Sequence, residues 1–443
     1  MPRQFNVMGN TTKILLLFFF FFQGIVSSSH AQRGPEIVFT DTLQLTRVQS
    51  EAILLANSLS IVAEKLQIDQ AEALRWQAEL WPNPNFSIDE VNLWTTSGHE
   101  EMPPFWGKFG RNQQVSAALE QLIQTAGKRR KLVALEQVSV EQAEHYFRDF
   151  LRGLKGSFRT TMTELQYLQS SRRYHQRQLA SISELTDAMQ RQVELNNLGK
   201  ADYIRLKAAQ LELKKHLMEL DKELVEKNHS LTLLLNIPSH VYLDLGTEGF
   251  VPELEPLQSL QLSDLEAVAL EERPDLQLAT LAQRYYTELE SYEKAQRTPD
   301  LKLKLGYDRG GNFMLDFVGL GASIDLPVFH RNQGNIRHAQ LGKTRTELQL
   351  SQKRNEVLSQ VKTAYFNLMQ EVAFYEEIDR GYDEELDALL DNYTANFSSR
   401  NISLLVYLDF LEAYLDNKET LIGTIKSIQD QIEELQFLVG RDL

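Results

Sequence analysis

Cysteine is absent from the 443 residues. That excludes disulfides, thiol catalysis and a lipid anchor attached through an N-terminal cysteine. Proline is scarce and unevenly placed. Of 12 prolines, none lies between Phe105 and Ile237 and none follows Pro327. Proline breaks helix interiors, so these two regions are free to form very long helices. Long apolar runs are also lacking, with one exception. Ile14 to Phe22 is unbroken apolar sequence behind Arg3 and Lys13, and Ser29-His30-Ala31 follows. The run falls short of the roughly 20 residues a spanning helix needs. Residues 1–31 therefore read as a signal peptide cleaved before Gln32, and no spanning helix is expected in the mature chain. Positive charge is in deficit too. The formal net charge of −15 becomes −17 without Arg3 and Lys13, which disfavours nucleic acid as a partner.

What is present is helical periodicity of unusual length. Phe147, Phe150, Leu151, Leu154, Phe158, Met162, Leu165 and Leu168 recur at steps of mostly three and four, one apolar face of a helix. The pattern runs to Leu195 and meets Asn196-Asn197-Leu198-Gly199, a turn signal whose glycine is expected to be left-handed. A second helix is expected from Ala201 to Leu235. The arm before the turn would be about 65 residues, or roughly 100 Å at 1.5 Å per residue. The second half repeats this. One helix is expected from about Ile336 to Phe397, a break at Ser398-Ser399-Arg400-Asn401, and another helix from Ile402 to Val439. Helices this long need a coiled coil or a barrel of helices to bury their stripe.

Short segments with a period of two separate the helices. Leu301, Leu303, Leu305 and Tyr307 alternate with Lys302, Lys304 and Gly306; Val318, Leu320, Ala322 and Ile324 alternate with Gly319, Gly321 and Ser323. Each reads as a strand with one dry and one wet face, and the turn signals between them make a β-hairpin. Val115 to Ile123 is a weaker copy. Its partner, Asn85 to Leu93, slips phase across Asp89-Glu90, where a bulge would restore the pattern. The halves align as an internal repeat, with Ala52-Ile53 opposite Ala267-Val268 and Pro84-Asn85 opposite Pro299-Asp300. The expected organisation is a signal peptide at 1–31 and a first repeat at 32–235, with β-hairpin 85–123 and helical hairpin 131–235. An irregular link at 236–262 precedes a second repeat at 263–443, with β-hairpin 301–326 and helical hairpin 336–439. The fold class is mostly α with a small β part.

Alternating strands of about 9–11 residues suit an outer-membrane barrel. Four strands cannot close one, and an open edge in lipid costs several kcal/mol per unpaired group. Several copies are therefore expected to share a barrel, with long loops outside and helices in the periplasm.

Three motifs then carry a resemblance: Pro84 before the first strand, Thr125-Ala126-Gly127-Lys128-Arg129 after the second, and Asp325-Leu326-Pro327-Val328-Phe329-His330-Arg331-Asn332-Gln333-Gly334-Asn335-Ile336 after the fourth. Over residues 40–443 the chain resembles the TolC family of outer-membrane efflux proteins, and within it the CusC- and CzcC-like branch serving metal and multidrug exporters. The resemblance implies a homotrimer in outer-membrane lipid, with a 12-stranded β-barrel above an α-barrel. It also implies a periplasmic adaptor protein and an inner-membrane pump of the resistance-nodulation-division class. The strand-to-helix junctions would be Gly127, Pro327, Asn332, Gly334 and Asn335. The adaptor-docking tips would be Leu198, Gly199, Lys200, Ser399, Arg400 and Asn401. Candidate pore-gate residues are Asp202, Tyr407, Asp409 and Glu412. Ile123 stands where the repeat has Pro327, so only the second junction keeps the proline.

Enzyme chemistry finds no support. His99-Glu100-Glu101 has no second histidine at ligand spacing, Gly319-Leu320-Gly321 lies inside a strand, and His330 and His338 merely flank a junction. No cofactor is expected. The alternative reading, a periplasmic coiled-coil adaptor or scaffold, shares the leader and one helical hairpin but explains neither the repeat nor the second β-hairpin.

Overall fold

A computed structural model describes residues 41–89, 91–92, 102–111, 113–197, 199–246, 249–310, 314–378 and 381–443. The expected signal peptide at 1–31, Leu93, Leu198 and His99-Glu100-Glu101 lie outside them. In chain order the elements are β1 (Asp41–Gln44), α1 (Arg47–Asn57), α2 (Leu59–Glu79), β2 (Asn85–Asp89), β3 (Val115–Ile123), α3 (Lys128–Glu194), α4 (Lys200–Leu234) and β4 (Val241–Asp244). They continue with α5 (Leu254–Gln258), α6 (Leu262–Glu272), α7 (Pro274–Ala295), β5 (Leu301–Arg309), β6 (Asp316–Ile324), α8 (Gln333–Glu376), α9 (Tyr382–Ser398) and α10 (Leu404–Val439).

The repeat is visible in these bounds. The pair α1 and α2 is 11 and 21 residues long, and α6 and α7 are 11 and 22. A single extended residue separates each pair, Ser58 at φ −68° and Arg273 at φ −63°. Pro274 sits at the first position of α7, where its fixed φ suits a helix start.

The long helices pack as the proline-free regions suggested. Buried positions on α10 fall at Leu404, Tyr407, Leu411, Tyr414, Lys418, Leu421, Ile425, Ile428, Leu435 and Leu438. Those steps of three, four and seven are a coiled-coil seam. On α4 the seam is Leu206, Leu213, Leu217, Leu220, Leu224 and Leu231. Three larger clusters of buried side chains lie along the helices. One joins α6, α8 and α10 through Leu265, Val361, Leu368 and Leu435. Another joins α1, α3, α4 and β4 through Leu54, Phe158, Leu231 and Leu243. The third is near the far turns.

The structure corrects two expectations. The single helix from Ile336 to Phe397 is interrupted: α8 ends at Glu376, and α9 begins after Gly381 at φ +86°. That is a left-handed conformation glycine adopts without Cβ strain. The link at 236–262 is not wholly irregular. It holds β4 and α5, and β4 pairs in parallel with β1 over Asp41↔Val241 to Gln44↔Asp244. Four-residue strands are too short to show a period. Buried amides satisfy this ribbon: Asn228 Nδ2 donates to Val241 O at 2.9 Å and Leu243 N–H to Asn228 Oδ1 at 2.8 Å. Gln169 Nε2 donates to Leu243 O at 2.6 Å.

Candidate functional site

The second sheet is antiparallel in the order β2-β3-β5-β6, so the central pair joins the two halves of the chain. Side chains of a strand alternate between faces, and the register therefore assigns each face. One face carries the row Phe86–Leu119–Leu305–Leu320 and, at one end, Ile123–Leu301–Ile324. These large apolar side chains are half-buried or exposed, Leu320 to 89 %. The opposite face carries Ala118–Gly306–Gly319 and Glu120–Lys304–Gly321, so Lys304 stands beside an acid. Lys302, two residues along, lies 3.2 Å from Asp325. The alternation read from β3, β5 and β6 thus gives one largely apolar face and one of mixed character, where Leu122 and Phe317 accompany the glycines and charges. Strand β2 stops at Asp89, opposite Ser116, yet Asn92 N–H donates to Gln114 O at 2.9 Å. Three steps on one side answer two on the other, the extra residue the phase slip called for.

All four neighbouring helices attach at one end of this sheet, beside the row Ile123–Leu301–Ile324. Both junctions into the long helices turn through left-handed residues: Ala126 and Gly127 at φ +52° and +67°, and Asn332 at φ +56°. Asn332 is buried, and its Nδ2 donates to Glu293 O at 2.9 Å. Asn335 Nδ2 donates to Asn332 Oδ1 at 2.8 Å. The Pro327 carbonyl accepts from Arg331 Nε at 3.2 Å, whereas Gly334 has open space around it. A clamp not foreseen from the sequence fixes the first junction. Thr125 Oγ1 donates to Pro299 O at 2.6 Å, and buried Lys128 lies 2.7 Å from Asp300. The motif Thr125–Lys128 and the repeat pair Pro299-Asp300 were each recognisable; that they meet was not.

The far ends of the hairpins are built alike. After α3, Asn196 N–H donates to Val193 O and Asn197 N–H to Gln192 O, at 3.0 and 2.8 Å. After α9, Arg400 N–H donates to Phe397 O and Asn401 N–H to Asn396 O, at 3.0 and 2.9 Å. Both are Schellman turns, which need a left-handed residue. Asn196 supplies it at φ +58° and Arg400 at φ +63°. Gly199 does not. It is the extended N-cap of α4 at φ −69°, ψ 135°, correcting the expectation of a left-handed glycine. The turn is complete before the chain reaches Gly199, and an N-cap takes the β region. Gly199, Lys200, Ser399, Arg400 and Asn401 are exposed.

The candidate gate residues do not form one group. Tyr407 is 0 % exposed and stacks on Phe397 at 5.0 Å between ring centroids. A side chain enclosed by its own protomer cannot face a pore, so Tyr407 is a core residue. Asp409 and Glu412 are exposed, and Asp202 is half-buried. Glu412 shares a groove with Asp416, Glu419, His175 and His216. His175 is buried, with Nδ1 2.9 Å from Ser171 O, and its ring lies 4.3 Å from that of His216, tilted by 43°. Burial holds its pKa below the ordinary imidazole value, and neighbouring His216 acts in the same sense. Among the described residues no group of three or more His, Asp or Glu could hold a metal ion, and no helix is long and apolar enough to cross a membrane.

Residues 266–395 match the model of the family described as outer membrane efflux protein. No curated protein matches the chain by sequence. Among solved structures, CusC superposes with a TM-score of 0.69 at 16 % identity, covering 91 % of this chain and 93 % of its own. The outer membrane protein VceC of Vibrio cholerae does so with 0.67 at 15 %, covering 89 % and 96 %. The outer membrane channel CmeC of Campylobacter jejuni gives 0.70 at 13 %, covering 89 % and 85 %. At these identities the likeness is one of fold.

Proposed function

From a chain that carries an outer membrane efflux protein domain and has the TolC-family fold, we propose an outer-membrane exit duct. It conducts passively what an inner-membrane pump delivers through a periplasmic adaptor, metal ions or drugs being the cargo classes. The observation that carries this reading is the four-stranded sheet with one exposed apolar face and two open edges, β2 and β6. In lipid each unpaired edge group costs several kcal/mol. Three copies would pair edge to edge into twelve strands, an even count within the bacterial range. The polar face then lines the lumen. Because every adjoining helix leaves one end of the sheet, the helices extend together into the periplasm.

The helical surfaces support assembly. Ile204, Leu211 and Met218 are 52–56 % exposed on α4 at seven-residue spacing. A heptad stripe left bare by its own protomer suits a neighbouring helix. The exposed turns at Gly199-Lys200 and Ser399-Arg400-Asn401 lie farthest along the chain from the sheet and are assigned to adaptor docking. Mass measurement of the detergent-extracted protein, with bound detergent subtracted, is expected to give three protomers. A monodisperse water-soluble monomer overturns the reading. Gly199→Trp with Arg400→Glu is expected to preserve the trimer and abolish export tolerance in a deletion strain. Full tolerance at normal trimer levels removes docking from the tips.

A further inference from the structure

We propose that the loop Met102–Arg111 is a membrane anchor, folded over the lipid-facing side of the barrel wall and seated among anionic lipid headgroups of the outer leaflet. This rests on the barrel reading above, since it needs the apolar face of the sheet to face lipid.

The register fixes the side on which the loop lies. Tyr307 belongs to the apolar face, in line with Ile88, Ala117 and Val318. Its hydroxyl donates to Asp316 Oδ1 at 2.7 Å, so Asp316 lies on that face too. Arg309 stands opposite Asp316 and Val115, two residues beyond Tyr307. Arg309 is therefore the last side chain of the apolar face at the end away from the helices. The loop closes onto this side chain. Arg309 Nη2 donates to Pro103 O, and the guanidinium lies 4.2 Å from the centre of the Phe105 ring. With the loop over it, Arg309 is only 7 % exposed. The loop thus continues the lipid-facing surface and does not arch over the polar face.

The loop is ordered by its own bonds. Met102 N–H donates to Arg111 O at 2.8 Å, Phe105 N–H to Phe109 O at 2.9 Å, and Phe109 N–H to Trp106 O at 2.9 Å. Gly110, at φ +91°, lies under the Phe105 ring, where a Cβ would come within 2.8 Å of Phe105 Cδ2. A turn built this tightly presents Trp106 and Phe109 stacked at 4.7 Å with 19° between planes. Trp106 is 70 % exposed. Beside it Lys108 is exposed. An ordered turn that spends its bonds to hold a bare tryptophan outward has no intramolecular use for it. Tryptophan is favoured at membrane–water interfaces, where an apolar ring with one polar edge fits the headgroup layer. A cation beside it adds attraction for anionic headgroups. Tyr307, Asp316 and Arg309 mark the level at which the dry face becomes polar, so the anchor sits at the boundary and not in the hydrocarbon.

The test uses the full-length channel in vesicles of phosphatidylcholine brominated on its acyl chains, with or without phosphatidylglycerol. Trp76, Trp81 and Trp94 are changed to phenylalanine, leaving Trp106 as the sole tryptophan, excited selectively at the red edge of its absorption. A second protein has all four tryptophans replaced and carries Leu320→Trp on the apolar face. The heat-sensitive oligomer band checks that both are assembled. Brominated lipid is expected to quench both, and aqueous iodide is expected to leave Trp106 largely unquenched. Phosphatidylglycerol is expected to raise the quenching of Trp106 about twofold, and Lys108→Gln to remove that increment. Trp106 quenched by iodide and not by lipid, with Leu320→Trp quenched by lipid, overturns the anchor and leaves the barrel standing. Leu320→Trp unquenched by lipid overturns the barrel itself. Quenching of Trp106 that ignores phosphatidylglycerol overturns the anionic specificity.

Discussion

The turn after α3 and the turn after α9 share the same backbone bonds and even the same side-chain bond. Asn197 Nδ2 donates to Gln192 Oε1 at 3.1 Å in one, and Asn401 Nδ2 to Asn396 Oδ1 at 3.2 Å in the other. The arms behind these turns are built differently. The first arm, α3, is 67 residues without a break, and its partner α4 offers a seam of leucines. The second arm is interrupted between Glu376 and Tyr382, and its free segment α9 has only 17 residues. Two aromatic stacks reinforce it, Tyr393 on Phe410 at 3.9 Å and Phe397 on Tyr407 at 5.0 Å. Near the break, Lys418 occupies a seam position of α10 and lies 2.7 Å from Asp387, which also accepts from Tyr414 Oη at 2.8 Å. A continuous helix carries order along its hydrogen bonds, so a plain apolar seam suffices. A short segment beyond a break has no such support, and its position must come from side-chain contacts.

The largest effect follows from emptying the second tip. Tyr407→Ala removes a fully buried ring at a cost of about 3–5 kcal/mol, by analogy with other large aromatic truncations. Hydrogen exchange should accelerate most over residues 382–398, where Phe397 loses its stacking partner, and less around residues 190–197, although α3 packs into the same buried cluster. Equal acceleration in both would erase the distinction.

Next in size is Lys418→Met. The seam keeps its volume, but Asp387 and Asp383 both lose the Lys418 ammonium; because both carboxylates are partly exposed and Arg177 stays 3.6 Å from Asp387, much of the loss is offset, leaving about 1 kcal/mol. Proteolysis near residue 381 should increase, whereas cleavage within α3 should not. Unchanged cleavage would mean that the break is held by the aromatic stacks alone.

A gain is expected at the turns. Arg400→Gly relieves a left-handed side chain and should stabilise its tip by about 1 kcal/mol. Asn196→Gly should gain less, because asparagine tolerates that conformation. Thermal melting of the detergent-extracted protein with the two substitutions ranks them; the reverse order would contradict the strain argument.

The smallest effect separates the hairpins by pH. Burial depresses the His175 pKa, so the unfolded chain takes up its proton first. Stability of the first hairpin is therefore intact above the ordinary imidazole value of about 6.5 and falls as pH drops below it. Burial opposes ionisation of Asp387, but hydrogen bonds from Lys418 and Tyr414 prevail and hold its pKa below the carboxylate norm. Its contribution is present above about 3.9 and is lost only as pH falls further. Exchange measured at pH 5 and pH 7.5 should show loosening around His175 and not around Asp387. His175→Phe should abolish the difference.

The long helices, the strand alternation and the repeat were legible because each depends on residues near one another in the chain. Two prolineless stretches and an apolar step of three or four suffice for α3 and α10. Neighbouring residues pointing to opposite faces suffice for β5 and β6, and the Ala52/Ala267 offset holds in the matched bounds of α1 with α6. Other features depended on what arrives from elsewhere. Gly199 looked like the left-handed cap, but hydrogen-bond closure three residues earlier gave that seat to Asn196. Gly381 gave no warning within a proline-free pattern that reads as continuous. Tyr407 lay in a promising position after the second turn, and only the stacking of Phe397 showed it to be interior.

The sequence by itself determined that this chain makes two long helical hairpins and two two-faced β-hairpins, since proline placement and hydrophobic period act locally. Only the tertiary structure decided that β3 pairs with β5, that Thr125 and Lys128 grip Pro299 and Asp300, and that the Met102–Arg111 loop closes onto Arg309. Each of those contacts joins residues from about 170 to 210 positions apart, and over such separations chain entropy leaves the choice to packing.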